Sequence, residues 1–413
     1  MMKYITRHIE QKLTSYIKQF PITVLTGPRQ AGKSTLLKHL LTSQEWSYIN
    51  LDQRGTLQRI NSDPDLFVKD ISSHTIIDEA QKAPNLFHSI KWKVDEGLKY
   101  KIVLSGSANF HLMHKVTETL AGRAGILELF PFSINEKLKK INILEKIVTS
   151  KTITALINSL KSIKVTNDDL IYNHVLWGGY PKIFEYKTNS LKSNWFENYR
   201  TTYIEKDLRD LSEIANINDF QKFYQLLSFQ IGSILNLSTI ANNIGITVPT
   251  CKKYLQILET SYQYFLLKPY HLNIRKRLIK RPKLYAWDTG LCNYFIGNSS
   301  MKELRNYTNF GNIFENFVIA ELAKQNTFLK KKNNLYFWRT SNGAEVDLII
   351  ESGQKIIPIE IKHAVNLSKN ALRGILDFMD LDLPKKPSFG IVFYRGPEIY
   401  RITDKILAIP IGL

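Results

Sequence analysis

Short apolar runs alternate with helix-length stretches through the first third of the chain. Ile22-Thr23-Val24-Leu25 reads as a buried strand, and Thr35-Leu36-Leu37-Lys38-His39-Leu40-Leu41 behind it as a helix. The strand pattern returns at Ser47-Tyr48-Ile49-Asn50-Leu51-Asp52, at His74-Thr75-Ile76-Ile77-Asp78-Glu79-Ala80 and at Lys101-Ile102-Val103-Leu104. This order predicts an α/β unit over residues 1–135, a parallel sheet with helices on both faces. The pattern then changes. Residues 136–165, rich in Lys, Ile and Ser, read as a linker plus helix, and Trp177-Gly178-Gly179-Tyr180-Pro181 as a turn cluster. Helical spacing follows from Trp195-Phe196 through Tyr203-Ile204-Glu205-Lys206-Asp207-Leu208.

Leu237-Ser238-Thr239-Ile240-Ala241-Asn242-Asn243-Ile244-Gly245-Ile246-Thr247-Val248 carries a helix-turn-helix pattern. Gly245 suits the tight turn, Thr247 the next N-cap, and Pro249 the first turn after it. Tyr254, Leu255 and Leu258 then face inward, and Thr250, Lys252, Lys253 and Gln256 outward. Such a helix suits a DNA major groove or, equally, packing against protein. Further on, Gly311-Asn312-Ile313-Phe314-Glu315-Asn316-Phe317-Val318 opens an amphipathic helix that continues to Glu321-Leu322. Leu335-Tyr336-Phe337-Trp338-Arg339 and Glu345-Val346-Asp347-Leu348-Ile349-Ile350 predict a hairpin around Ser341-Asn342-Gly343. A second hairpin turns at Ser352-Gly353 into Ile356-Ile357-Pro358-Ile359-Glu360-Ile361-Lys362.

The chemistry concentrates in Gly27-Pro28-Arg29-Gln30-Ala31-Gly32-Lys33-Ser34, which fits G-x-x-x-x-G-K-[ST] between a strand and a helix. The glycines let backbone N–H groups turn towards phosphate oxygens, and the helix dipole adds positive potential. Lys33 then reaches the β- and γ-phosphates, Ser34 holds Mg2+, and Thr35 completes the expected nucleotide contacts. Asp78 closes an apolar strand near that Mg2+, and Glu79 polarises the attacking water; a solvated turn is the alternative. Ser105-Gly106-Ser107-Ala108-Asn109 ends the next strand. Ser107 or Asn109 suits a γ-phosphate contact, with an ordinary capped turn as the alternative. Arg123 is a candidate charge-stabiliser, within the chain or on a neighbouring subunit of an oligomer; a surface salt bridge is equally compatible.

Charge adds a partner. The 413 residues are 44% hydrophobic and 23% charged, ordinary for a globular protein with two or three domains, but the net charge is +19. So basic a surface points to DNA, RNA or an anionic membrane face. Lys268, Arg275, Lys276, Arg277, Lys280, Arg281 and Lys283 run without an acid among them, as the wing of a winged helix would. With Lys252 and Lys253, the candidate DNA contacts are Arg275, Lys276, Arg277, Lys280 and Arg281; a solvated charge run is the alternative. The start lacks a secretory apolar core, no apolar run is long enough to span a bilayer, and the two cysteines lack metal-type neighbours. A cytoplasmic protein without membrane insertion is expected.

The phosphate loop extended through Thr35-Leu36-Leu37, with Ile76-Ile77-Asp78-Glu79-Ala80-Gln81, Leu104-Ser105-Gly106-Ser107 and Leu120-Ala121-Gly122-Arg123, resembles prokaryotic AAA-type P-loop ATPases. Members of that group carry a C-terminal domain of unknown function, often described as nuclease-like. The resemblance covers nearly the whole chain and implies binding and Mg2+-dependent hydrolysis of ATP. Glu315, Asp347, Glu360 and Lys362 resemble the PD-(D/E)xK nuclease superfamily: a helix Glu, a strand Asp, then Glu-x-Lys. Three hard carboxylates suit a second Mg2+, with Lys362 beside them to activate water. Gly343-Ala344-Glu345 departs from the Pro-Asp approach of many cutters, and places Glu345 next to the site rather than in it. The expected division is 1–135 ATPase, 136–215 helical linker, 216–290 winged helix and 291–413 restriction-endonuclease-like α/β domain. The leading expectation is a DNA-associated ATPase. The alternatives are a nucleotide switch for a protein partner and an ATP-gated nuclease.

Overall fold

The computed structural model describes residues 3–41, 46–97, 99–106, 118–202, 214, 216–271 and 280–412. The first part is an all-parallel sheet of β1 (Ile22–Thr26), β2 (Ser47–Asn50), β3 (His74–Asp78), β4 (Lys101–Ser105) and β5 (Ala124–Glu128), in the order β2-β3-β4-β1-β5. All five residues of β1 are buried, as a central parallel strand covered on both faces requires. Alternate side chains serve two cores. Ile22, Val24, Ile77, Ile102 and Leu104 pack with Phe87 and Ile90 on one face. Leu25, Ile76, Val103 and Leu127 pack with Ile9, Leu13, Leu36 and Leu37 on the other.

Three short helices, Ile134–Lys137, Ile143–Thr149 and Ile153–Leu160, lead away from the sheet, each with an N-cap side chain on its first free N–H groups. Helix Asp168–Trp177 ends at Gly178, with φ of 69°. The turn docks closely on its neighbours. A Cβ on Gly178 would lie 2.0 Å from Asp288 Oδ1, and one on Gly179 would lie 2.0 Å from the Phe132 carbonyl. The helix-turn-helix forms as expected: helix Leu237–Ile244, Gly245 at φ 82°, Thr247 accepting the Thr250 N–H, then helix Val248–Thr260. The stretch 203–208 lies outside the described residues.

The remaining strands are β6 (Tyr264–Pro269), β7 (Lys283–Ala286), β8 (Asn334–Arg339), β9 (Glu345–Ser352), β10 (Lys355–Ile361), β11 (Gly390–Tyr394), β12 (Tyr400–Thr403) and β13 (Ile406–Pro410). They form one mixed sheet in the order β12-β13-β11-β10-β9-β8-β6-β7. Both expected hairpins are present, as antiparallel β8–β9 and β9–β10. Strands β6 and β7 pair with each other, and β6 also pairs in parallel with β8. A single sheet therefore runs across residue 290.

The helix expected to be amphipathic spans Phe310–Phe328 and is buried at sixteen of its nineteen residues. Periodicity misreads it because its polar residues are satisfied inside the molecule. Asn316 exchanges hydrogen bonds with both backbone groups of Ala286, Glu321 accepts the Ile134 N–H at 2.7 Å, and Gln325 accepts the Leu144 N–H at 3.0 Å. This helix thus ties the second sheet to the segment leaving the first. Among the described residues no helix is long and apolar enough to cross a membrane.

Candidate functional site

The phosphate loop leaves the carboxyl end of β1 and enters helix Lys33–Leu41. Gly27 (φ 145°), Gln30 (φ 58°) and Gly32 (φ 97°) curl the backbone into a concave turn of the kind that presents N–H groups to an anion. Gly27 is obligatory here, because a Cβ would lie 2.0 Å from the Leu129 carbonyl oxygen. Pro28 and Ala31 are buried, Arg29 and Ser34 partly so, and Gln30 and Thr35 exposed. Lys33 lies inside the curl. Its Nζ donates to the carbonyls of Gly27 (3.0 Å) and Pro28 (2.8 Å), and burial pushes its pKa down to about 8 against the pull of Glu79 and Asp78.

Asp78 stands at the end of β3, adjacent to the loop strand's neighbour β4. Tyr48 Oη donates to its Oδ2, Ser105 Oγ to its Oδ1, and the Glu79 N–H to Oδ1 at 3.2 Å. Tyr48 thus reaches from β2 to hold Asp78, the expected metal-site residue on β3. Glu79 sits beside Asp78 in the left-handed region (φ 57°), with its carboxylate held by Gln81 Nε2. Lys33, Ser34, Asp78 and Glu79 thus meet at one edge of the sheet. Ser107 and Asn109 lie outside the described residues.

Arg123 is elsewhere. It precedes β5, whose first residue pairs with the first residue of β1, so it lies at the amino end of the strands, opposite the loop at their carboxyl end. That is roughly 15 Å away along the strands. There it grips Asp95 with both arms, at 2.5 and 2.9 Å. The salt-bridge reading holds within the chain, and the charge-stabilising role there does not.

Arg7 is a site residue that sequence reasoning missed. It is buried, stacked over Phe132 (4.3 Å), ion-paired with Glu136 (3.0 Å), and donates to the carbonyls of Ala31 (3.0 Å) and Phe130 (2.6 Å). It therefore braces the phosphate loop against the segment leaving the sheet, and its charge holds the buried Glu136 carboxyl below the usual range despite burial. Nothing local marks Arg7 or Tyr48, since both act through partners distant in sequence. Beside the loop, a cavity of about 140 Å3 is lined by Tyr4, Ile5, Thr35, Leu36 and Pro181.

The C-terminal carboxylates also gather, but around lysines. Lys283 Nζ contacts Glu315 Oε1 (2.9 Å) and Glu345 Oε1, and Tyr285 Oη donates to the same Glu315 oxygen at 2.5 Å. Lys362 pairs with Glu360, and Asp347 Oδ2 accepts the Ile361 N–H at 2.8 Å. Burial first, and then Asp347, raises the Glu360 carboxyl well above its ordinary value and pushes Glu315 up to about 7. Burial alone would lower Lys283, but Glu315, Asp347 and Glu345 hold it above its ordinary value. Two expectations are corrected. Lys283 is buried beside acids rather than part of a basic wing, and Glu345 is in the cluster rather than next to it. Among the described residues no group of three or more His, Cys, Asp or Glu is arranged to hold a metal, so the second Mg2+ site loses its support. Lysines occupy two of the three expected carboxylates, Glu315 and Glu360, and Asp347 accepts a backbone N–H.

Of the candidate DNA contacts, Lys252, Lys253, Lys280 and Arg281 are exposed, and Arg275, Lys276 and Arg277 lie outside the described residues. Cys251 and Cys292 are buried free thiols.

Strand order and loop geometry define a P-loop nucleotide-binding unit. Residues 19–138 match the family described as an AAA domain, and form an AAA-type ATPase domain. Residues 168–302 and 310–413 match two families described as domains of unknown function, DUF8612 and DUF4143. The chain is 27% identical over 406 residues to an uncharacterized protein of Mycobacterium tuberculosis, covering 98% of this chain and 83% of that one. It is 21% identical to one of Haemophilus influenzae, covering 91% and 90%. A Walker-type ATPase of Pyrococcus abyssi is similar in structure, with 15% identity, coverage of 70% of this chain and 95% of that one, and a TM-score of 0.46.

Proposed function

We propose that this chain is an ATP-hydrolysing switch of the AAA type that acts on DNA. The observation that carries the ATP part is the meeting of Lys33, Ser34, Asp78 and Glu79 at one edge of the parallel sheet. Lys33 is bonded there to loop carbonyls rather than locked to an acid. The curl at Gly27 and Gly32 fits phosphate, and the hard oxygens of Ser34 and Asp78 fit Mg2+, which when bound would neutralise phosphate charge. Lys33 binds the β- and γ-phosphates, Tyr48 and Ser105 orient Asp78, and Glu79 orients water. The cavity beside Tyr4, Ile5 and Pro181 takes the base.

The DNA part is supported by exposed Lys252 and Lys253 on the second helix of the helix-turn-helix, by exposed Lys280 and Arg281, and by the net charge of +19. The order of Glu315, Asp347, Glu360 and Lys362 supports a nuclease-like fold for the C-terminal part.

The test is steady-state ATP turnover in Mg2+, with and without duplex and single-stranded DNA, against Lys33→Ala as background. Stimulation by DNA that fades with salt is expected. Turnover indifferent to DNA would overturn the DNA part and favour a protein partner. Turnover no higher than that of Lys33→Ala would overturn the hydrolysis itself.

A further inference from the structure

The carboxylate cluster of the second sheet holds its own cation. Lys283 is buried, with its side chain 4% exposed, and its ammonium touches carboxylates from two separate elements, Glu315 of the central helix and Glu345 of β9. Asp347 is close enough to add a third attraction. A hard divalent ion at the expected site would need the Glu315 oxygen that Lys283 holds and the Glu360 oxygen that Lys362 holds. To admit one, the ammonium would have to leave, and its backbone is pinned on both sides. Lys283 pairs with Leu267 of β6 on one side and bridges to Ile234 on the other. The neighbouring Leu284 N–H donates to the Ser233 carbonyl at 3.0 Å, and the Gly232 N–H to the Leu284 carbonyl at 2.8 Å. Tyr285 adds a second donor on the Glu315 oxygen that Lys283 already holds. Lys362, the residue expected to serve a reaction, is instead paired with Glu360.

We infer that Lys283 is a resident cation standing in for a divalent metal, so that the carboxylate cluster is a metal-free clasp joining β7, helix Phe310–Phe328 and β9. The inference does not rest on the ATP reading, and ATP turnover enters none of its tests.

The probe is Mn2+ alone, titrated into the nucleotide-free full-length chain with free Mn2+ read by electron paramagnetic resonance. Wild type should retain no Mn2+ that Glu315→Gln releases. Lys283→Met, which keeps the stem and removes the charge, should bind Mn2+ at least about tenfold more tightly than wild type. Adding Asp347→Asn to it should abolish the gain. Lys283→Arg keeps the charge and should show no gain. One Mn2+ per wild-type chain, lost in Glu315→Gln, would overturn the inference, as would a folded Lys283→Met without any gain. Should Lys283→Met not fold, the wild-type titration still decides. So does plasmid nicking: Mg2+-dependent cutting that Lys362→Ala abolishes would overturn the clasp, and cutting no greater than in EDTA supports it.

Discussion

Two strand ends in this molecule carry paired acids and a nearby lysine, and they are built oppositely. At the end of β3, Asp78 is held by the hydroxyls of Tyr48 and Ser105, and Lys33 is bonded to the Gly27 and Pro28 carbonyls. Both charges are oriented by neutral groups, and neither is cancelled. In the second sheet Lys283 is bound directly to Glu315 and Glu345, and Lys362 to Glu360. The lysines there neutralise part of the acid cluster, and burial with Asp347 holds Glu315 and Glu360 above the ordinary carboxyl range. Orientation by neutral dipoles leaves a site able to respond to a charged ligand, whereas direct pairing spends the charge on the fold. The same residue types therefore give an open site in one place and a closed one in the other.

The sharpest test of this contrast is stability. Lys283→Met should cost about 3–5 kcal/mol in denaturant unfolding of the metal-free protein, because it strands buried carboxylates. Lys33→Ala should cost less than about 1.5 kcal/mol, since it removes two bonds to carbonyls and a lysine already desolvated. A large loss in Lys33→Ala would erase the contrast. Activity should invert the order. Lys33→Ala should lower ATP turnover by about 10²–10³-fold, the scale for removing one preorganised donor to developing charge. Tyr48→Phe sharpens the point further. Without its hydroxyl, Asp78 loses one of the donors that orient it, and the Mg2+ concentration for half-maximal turnover should rise about fivefold, the worth of one hydrogen bond of about 1 kcal/mol. Unchanged Mg2+ dependence would reduce Tyr48 to packing.

The smallest effect concerns the seam between the two regions, where His174 is buried 3.9 Å from Glu321. Burial, and then the Lys324 and Lys137 ammonium groups, hold its imidazole well below the ordinary 6.5. The unfolded chain takes up a proton as pH falls through about 6.5 and the folded chain does not. The stability from a neutral His174 is therefore complete above that pH. It declines below it by at most about 1.4 kcal/mol per pH unit. His174→Leu should flatten that part of the melting-temperature profile between about pH 7 and 5, and an unaltered profile would assign the slope to other groups.

The first sheet was legible because its signals are local. Apolar strands of a covered parallel sheet are continuous runs, and the loop geometry needs glycine at fixed positions. Gly27, Lys33, Asp78 and the helix-turn-helix around Gly245 and Thr247 fall where the pattern puts them. What local pattern did not show was the partner of several charges. Arg123, open in the sequence between a charge-stabilising role and a surface salt bridge, is paired with Asp95 at the amino end of the sheet. Lys283 reads as part of a basic wing and is inside, among acids. Arg7 and Tyr48 read as nothing and hold the loop and Asp78.

The strands, the turns, the phosphate loop and the residue types at both acidic strand ends follow from local sequence alone. Hydrophobic period and backbone conformation are properties of neighbours in the chain. Which charges stay available is set by contacts made across the fold. A charge is cancelled by whatever lies within a few ångströms, and here those partners are 28 residues away for Arg123, 32 for Lys283 with Glu315 and 129 for Arg7 with Glu136.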